Sequence, residues 1–222
     1  MSRKTVTAIA ALFAMGITAV QAELIIAGWH DAGPMTGGIW NANVFAAGIE
    51  AQIAVVDSNI YKSPKNGSND ETYGAEFPGA GKGDGSIGLN INKYVEFVVE
   101  NTGTQSYDLT AFRFDAYRAY PAGISQLVVS VISGDITTGD LATINLPSRG
   151  ANATENDTDF SDFDVMLGSL ADYTLAAGKS VTFRITGVGG TSAILLDNIA
   201  VTGVVAETGK TIRLLLITDA AL

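Results

Sequence analysis

The chain has 222 residues, of which 47% are hydrophobic, no cysteine and a formal net charge of −10. The acidic balance argues against nucleic acids and anionic lipid surfaces as partners, because both bind basic faces. Without cysteine there are no disulfides, Cys–His nucleophiles or cysteine zinc sites, so the core alone must stabilise the fold.

The N-terminus has the pattern of an export signal. Arg3 and Lys4 precede an apolar stretch from Val6 to Val20, and residues 19–22 read Ala-Val-Gln-Ala. A basic start, a short apolar run and small border residues predict a signal peptide over residues 1–22. The run is too short for a membrane span, and no second run of spanning length follows. We therefore expect a secreted or periplasmic protein.

The rest of the chain reads as a series of short β-strands. Helical periodicity is nearly absent, and β-rich runs are separated by Gly, Asn, Asp and Ser. The predicted strands are Leu24–Trp29, Ile49–Val56, Ile87–Asn90, Tyr94–Glu100, Thr110–Tyr117, Gln126–Ile132, Thr143–Leu146, Asp164–Leu167, Ser180–Thr186 and Ala193–Val205. This spacing predicts an all-β fold, an antiparallel jelly-roll-like β-sandwich over residues 23–205, followed by a tail at 206–222.

Two runs near the C-terminus predict a closing hairpin. Residues 180–186 and 192–203 both have strand character, and Gly187-Val-Gly-Gly190 lies between them. A Gly-rich turn between two strands is typical of a β-hairpin. Asp197 and Asn198 interrupt the second strand with side chains that can bind either backbone or a cation.

Two long loops are expected, from Asp57 to Ser86 and from Pro147 to Ser161. Loops of this length in a compact domain are often functional. The second contains Asn156-Asp-Thr-Asp159, for which solvated charge is the simpler interpretation and calcium binding the alternative.

Four segments carry a resemblance to a known family. They are Tyr94-Val-Glu-Phe-Val-Val99, Leu109-Thr-Ala-Phe-Arg-Phe-Asp-Ala-Tyr-Arg118, Ser180-Val-Thr-Phe-Arg184 and Leu196-Asp-Asn-Ile199. Together they resemble the secreted β-sandwich domains of bacterial PEP-CTERM exosortase-sorted proteins, which are similar to carbohydrate-binding jelly rolls of the galactose-binding-like type. The resemblance covers residues 24–205. The family's C-terminal sorting signal is missing after Val205, so we expect secretion or periplasmic release rather than anchoring.

The same resemblance implies a calcium position. Jelly rolls of this type often carry a structural calcium between an early segment and the last strand, and calcium takes oxygen ligands. By this resemblance Asp197 would be a ligand, with Glu23 or Asp31 from the N-terminal segment. The alternative is that Asp197 and Asn198 hydrogen-bond to nearby backbone.

Aromatic residues in loops or next to them are the candidates for sugar binding, because pyranose rings stack on flat aromatic faces. The predicted ligand-binding residues are Trp40, Tyr73, Tyr117, Arg118 and Tyr120. Tyr117 and Tyr120 bracket Arg118, which would add hydrogen bonds to a stacked ring. The alternative is that the tryptophans pack beneath the long loops, since Trp is usually buried.

Catalysis is not expected. His30 is the one histidine of the chain, and no Gly-x-Ser-x-Gly motif presents a serine nucleophile. Glu96 and Glu100 lie on one face of a single predicted strand, whereas a glycoside hydrolase needs two carboxylates facing each other across a cleft.

These observations lead to two hypotheses for function. The first is a non-enzymatic binding or adhesion module for an extracellular polysaccharide or cell-surface glycan, with calcium as a structural cofactor. The second is a structural envelope or matrix protein that self-associates. The apolar tail segment Ile212–Ile217 suggests the second hypothesis, because an uncovered β-prone segment can pair with another chain.

Overall fold

A computed structural model describes residues 21–30, 39–56, 59–61, 68, 72–75, 77–78, 86–118, 122–147 and 160–207. Within these ranges the regular elements are strands: β1 (Leu24–Trp29), β2 (Ile39–Asn41), β3 (Val44–Phe45), β4 (Ile49–Val56), β5 (Asn59–Tyr61), β6 (Thr72–Tyr73), β7 (Phe77–Pro78), β8 (Ser86–Leu89), β9 (Tyr94–Asn101), β10 (Tyr107–Tyr117), β11 (Gln126–Gly134), β12 (Gly139–Asn145), β13 (Ser161–Met166), β14 (Thr174–Leu175), β15 (Ser180–Val188) and β16 (Ile194–Val205). No helix long and apolar enough to cross a membrane occurs among them.

Some sequence predictions lie outside the described residues. They concern residues 1–20 of the predicted signal peptide, Asp31, Tyr120, most of the two long loops with the acidic stretch 156–159, and the tail segment 212–217. The part of the first loop that is described contains the short strands β5, β6 and β7.

The strands form two antiparallel sheets. Sheet A has eight strands in the order β13-β10-β16-β1-β3, with β14 on β10 and with β8 pairing β16 and β5. Sheet B has six strands in the order β12-β11-β15-β9-β4-β2. The short strands β6 and β7 pair with each other as a separate ribbon.

An aromatic row joins the two sheets. Trp29 on β1 meets Phe97 on β9 edge-on, and Phe97 meets Phe112 on β10, both with ring centroids 5.4 Å apart. Phe112 stacks on Phe183 of β15 at 4.9 Å. Because these rings come alternately from sheet A and sheet B, the sheets pack face to face. The expected antiparallel jelly-roll-like β-sandwich is confirmed.

Period-two alternation decides which side chains enter this core. On β15, Val181, Phe183 and Ile185 are buried, while Thr182 and Arg184 lie half-buried on the other face. All ten strands predicted from the sequence occur, with ends shifted by up to four residues. The strands that were not predicted, β2, β3, β5, β6, β7 and β14, have only two or three residues each, too few to show a period.

The predicted closing hairpin is wrong. The strand β15 pairs with β9 and β11 in sheet B, whereas β16 pairs with β1, β8 and β10 in sheet A. The Gly-rich turn between them carries the chain from one sheet to the other, with positive φ at Gly189 and Gly190. Each strand has one apolar face, and placing them in opposite sheets points both faces into the same core.

The aromatic row predicts a large effect of truncation at its sheet B end. Phe183→Ala should lower the free energy of unfolding by about 3–5 kcal/mol, because it removes a fully buried ring and leaves a cavity. Its neighbour Thr182 faces outward, so Thr182→Ala should cost less than about 1 kcal/mol. Urea unfolding followed by circular dichroism measures both. Equal costs for the two variants would contradict the assigned packing.

Candidate functional site

The outer face of sheet A carries Asp197, the predicted metal ligand. Asp197 is 2% exposed and lies opposite the fully buried Asp115 in the β10–β16 pair. Its Oδ2 accepts a hydrogen bond from the Ser68 N–H at 2.6 Å. Asp115 accepts one from the Gly74 N–H at 3.1 Å and one from the Asn198 amide at 3.0 Å. Asp197 therefore binds backbone, as in the alternative interpretation, but backbone distant in sequence, whereas Asn198 binds a side chain.

A third aspartate extends this arrangement to a third strand. Asp164 on β13 accepts a hydrogen bond from the Ala75 N–H at 3.2 Å. Asp164, Asp115 and Asp197 therefore bind the backbone of residues 68 and 74–75 from the neighbouring strands β13, β10 and β16. Carboxylate bonds to backbone N–H are among the stronger hydrogen bonds. This part of the first long loop is thus fixed over the outer face of sheet A.

Glu23 occupies a different place from Asp197. Arg113 donates from Nη2 to Glu23 at 3.2 Å, and the Thr110 hydroxyl also donates to Glu23. In the β1–β16 pair, Leu24 next to Glu23 lies opposite Gly203, several positions along β16 from Asp197. The two carboxylates therefore do not converge, and the predicted pairing of Glu23 with Asp197 around one ion is corrected.

Calcium binding itself stays a prediction. Among the described residues, no group of three or more Asp, Glu, His or Cys side chains could hold a metal ion. Calcium prefers six to eight oxygen ligands, whereas Asp197 and Asp115 accept hydrogen bonds from the Ser68 and Gly74 N–H groups and the Asn198 amide. Asp31, the other predicted ligand, lies outside the described residues.

The predicted sugar-stacking aromatics are buried. Trp40 is 4% exposed, Tyr73 0% and Tyr117 1%. Trp40 belongs to the core between the sheets, and Tyr73 packs on Ala200 over the outer face of sheet A. The prediction that these three side chains are exposed for stacking is therefore wrong. Strand pairing turns Trp40 inward, and Tyr73, in the first long loop, packs against sheet A.

The remaining predicted ligand residues do not form a stacking surface in the described part of the chain. Tyr117 stacks on Phe160, with ring centroids 5.4 Å apart. Arg118 is half-buried and donates from Nη1 to the Leu146 carbonyl at 3.3 Å. Tyr120 lies outside the described residues.

The outer face of sheet B is more accessible. On β9, Tyr94, Glu96 and Val98 are half-buried and Glu100 is exposed, and each alternates with a buried residue. Residues two apart on a strand share one face, so these four side chains form an outward row about 20 Å long. The row lies in the interior of the sheet, between β15 and β4.

A cation–π pair and an ion pair meet in this row. The Arg184 guanidinium lies over the Tyr94 ring, 4.2 Å from its centroid. Arg184 is also directly opposite Glu96 in the β9–β15 pair and donates to it from Nε at 3.1 Å and from Nη2 at 2.5 Å. The Arg184 side chain is still 32% exposed. Together these contacts fix the ring and the guanidinium while leaving part of each at the surface.

Beside the row, a shallow cleft of about 120 Å³ opens between β2, β4 and β9. Its lining side chains come from Asn41, Glu50, Gln52, Val98 and Glu100. Amide groups donate to and accept from hydroxyl groups, and carboxylates accept from them. Across the rest of sheet B the polar character continues, with hydrogen bonds from Ser130 to Asp140 and from Gln126 to Asn145.

The sequence analysis did not identify Tyr94 or Arg184 as functional residues. The signal was present in their alternation: Tyr94 precedes the apolar positions 95, 97 and 99, and Arg184 lies between Phe183 and Ile185. Both therefore had to face away from the core once the strands were assigned. Their proximity depends on the pairing of β9 with β15, which sequence alone does not provide.

No family model matches the chain, and neither does any curated protein. Among solved structures it is similar to the CBM22-1 xylan-binding domain of Paenibacillus barcinonensis Xyn10C, with a TM-score of 0.40 and 12% identity over 85% of this chain and 100% of that one. The family 11 carbohydrate-binding module of a Clostridium thermocellum cellulosomal cellulase gives a TM-score of 0.39 and 10% identity over 86% and 99%.

The Cry4Aa toxin of Bacillus thuringiensis gives a TM-score of 0.39 and 11% identity over 72% of this chain. This chain spans about a quarter of the toxin, 24% of its length. Neighbours this distant carry no information about the ligand of this chain.

The Glu23 contacts predict a pH-dependent contribution to stability. Burial raises the pKa of Glu23, but hydrogen bonds from Thr110 and Thr202 and the charge of Arg113 outweigh it, so the pKa lies below its ordinary value of 4.5. A lowered carboxyl pKa stabilises the fold above the ordinary value, and this contribution is lost as the pH falls through the folded-state pKa.

Glu23→Gln should therefore lower the free energy of unfolding by about 1 kcal/mol at neutral pH. The difference from wild type should disappear on acidification, because wild-type Glu23 is then also neutral. Urea unfolding across the acidic range measures it, with the exposed Glu207→Gln as the control. A difference that stays constant with pH would contradict the assigned charge interaction.

Proposed function

We propose that this protein is an exported, non-enzymatic polysaccharide-binding module whose ligand lies on the outer face of sheet B. The observation that carries the proposal is the half-exposed Tyr94 ring held by Arg184, with Glu96 fixing the guanidinium. Sugar rings stack on aromatic faces, and neighbouring polar groups then orient their hydroxyls. Arg184 retains donor capacity for this purpose, since a guanidinium has five N–H groups.

The shape of the face supports a linear ligand. Tyr94, Glu96, Val98 and Glu100 follow one another along β9, and the cleft at Glu50 and Glu100 continues the row. A polar strip of this length presents a stacking ring and several hydrogen-bonding groups in one direction. That arrangement suits a short stretch of a polymer chain better than a single compact molecule.

Preorganisation supports the same function. Binding is weakened by the entropy lost when free side chains become ordered. Here the ion pair and the cation–π contact already order Arg184 and Tyr94 in the free protein. The N-terminal sequence pattern supports export, and the acidic balance suits a role outside the cell in contact with neutral or cationic polymers.

Self-association is the second candidate function. Phe45 is 58% exposed on β3 and Met166 is 60% exposed on β13, the two ends of the main strand order of sheet A. Exposed apolar side chains on an edge strand favour pairing with another chain. An oligomer measured by sedimentation that Phe45→Ser and Met166→Ser together convert to monomer would support this candidate.

A glycan array tests the polysaccharide proposal. We expect the purified protein to bind at least one polysaccharide class, and Tyr94→Ala to weaken that binding by tenfold or more, about 1.4 kcal/mol. Tyr94→Phe should retain most of it, because the stacking ring remains. Phe45→Ala, which removes an exposed ring outside sheet B, is the matched control and should bind like wild type.

Circular dichroism of each variant distinguishes lost binding from lost folding. Binding that is unchanged in Tyr94→Ala would place the ligand elsewhere on the molecule. A blank array with a folded wild-type protein would contradict the proposed function and leave self-association as the better candidate.

A further inference from the structure

We infer that the polymer bound on the outer face of sheet B is cationic, a polysaccharide whose sugars carry free amino groups. The inference rests on the proposed function and adds the chemical class of the ligand. It comes from the distribution of charge around the cleft and the Tyr94 row, together with the register that brings the acidic side chains there.

Two glutamates of the cleft face each other across neighbouring strands. Glu50 on β4 is directly opposite Glu100 on β9, and both are exposed. Like charges directly opposite each other in an antiparallel pair destabilise a sheet. A bound ammonium group would relieve this repulsion while donating hydrogen bonds to both carboxylates.

The cleft also provides neutral partners for the rest of a sugar ring. Gln52 lies opposite both Asn41 and Val98, so an amide pair and an apolar side chain adjoin the two glutamates. The cleft volume of about 120 Å³ is several times the roughly 10–15 Å³ that one water molecule needs on the same measure. An ammonium group, which is about the size of a water molecule, can therefore enter it.

The charge balance of the whole face points to the same class. Arg184 is the one basic side chain among the outward positions of the sheet B strands, as far as they are described, and it is already paired with Glu96. Glu50, Glu100 and Asp140 add negative charge to that face. The negative charge of this face would repel an acidic polysaccharide. It would attract a polysaccharide with free amino groups, over a distance limited by salt screening.

The acidic cleft and the stacking ring can act on one ligand. Tyr94 and Glu100 lie on the same face of β9, six residues and about 20 Å apart. A chain that stacks one sugar on Tyr94 would place a later sugar at the Glu50–Glu100 pair. The ring supplies recognition of a sugar, and the glutamates select the amino substituent.

Isothermal titration calorimetry with two oligosaccharides of equal length tests the inference. One is a glucosamine oligomer with free amines, and the other is its fully N-acetylated, neutral counterpart. Buffers are mildly acidic, so that the sugar amines are protonated, and contain a chelator to exclude metal bridging. We expect the free-amine oligomer to bind about tenfold more tightly, a preference that added salt reduces.

Variants assign this preference to the cleft. Glu50→Gln with Glu100→Gln should abolish the preference, so that the two oligomers bind this double variant with about equal affinity. The matched control, Asp172→Asn with Glu207→Gln, removes two acidic charges outside the sheet B strands. This variant should still prefer the free-amine oligomer. Tyr94→Ala should weaken the binding of both oligomers. An oligolysine of similar charge should bind weakly and independently of Tyr94.

Each contrary result has a defined meaning. Equal affinity for the two oligomers, or a preference that survives the Glu50/Glu100 substitutions, would overturn the inference and leave the proposed function intact. Oligolysine binding as tight as the free-amine oligomer would also overturn it, since charge alone would then suffice. If neither oligomer binds the wild-type protein, the inference is overturned. The proposed function is contradicted as well only if the glycan array is also blank.

Discussion

The face-to-face contact of the two sheets through Phe112 governs the rest of the molecule. Phe112 from sheet A touches both Phe97 and Phe183 from sheet B, and Trp29 extends the row through Phe97. Without disulfides, this apolar contact must supply most of the stabilisation. Because strands alternate with a period of two, fixing these rings inward fixes their neighbours outward. The position of Arg184 on the surface is thus a consequence of the core position of Phe183.

The two outer faces of the sandwich differ in what lies over them. On sheet A, Asp115, Asp164 and Asp197 accept hydrogen bonds from the chain's own backbone, which is held there with Tyr73, and Asp115 and Asp164 also accept from the side chains of Asn198 and Arg113. On sheet B the carboxylates of Glu50 and Glu100 line an open cleft. Similar acidic residues therefore have different consequences. On sheet A they organise a loop, whereas on sheet B they line a cleft that is open to solvent.

Sequence patterns predicted the fold better than the site. Strong alternation, as in residues 180–186, depends only on neighbours along the chain, so the long strands and the sandwich class were predictable. The placement of β16 was not, because a Gly-rich turn allows both a hairpin and a crossing between sheets, and only the shared core decides. Trp40 and Tyr73 were misassigned for a related reason: their burial depends on partners distant in sequence. The Tyr94–Arg184 contact likewise requires the β9–β15 register.

Under the proposed function, the Glu96–Arg184 pair serves recognition more than stability. A partly exposed ion pair contributes little to the free energy of unfolding, typically below about 1 kcal/mol. It does, however, hold the guanidinium against the Tyr94 ring, so that the ring and its donors have one orientation before any ligand arrives. A lysine at position 184 would keep the charge but lose the flat, forked geometry that binds Glu96 and covers Tyr94 together. Under the proposed function, arginine at this position is explained by the organisation of the binding surface rather than by charge balance within the sheet.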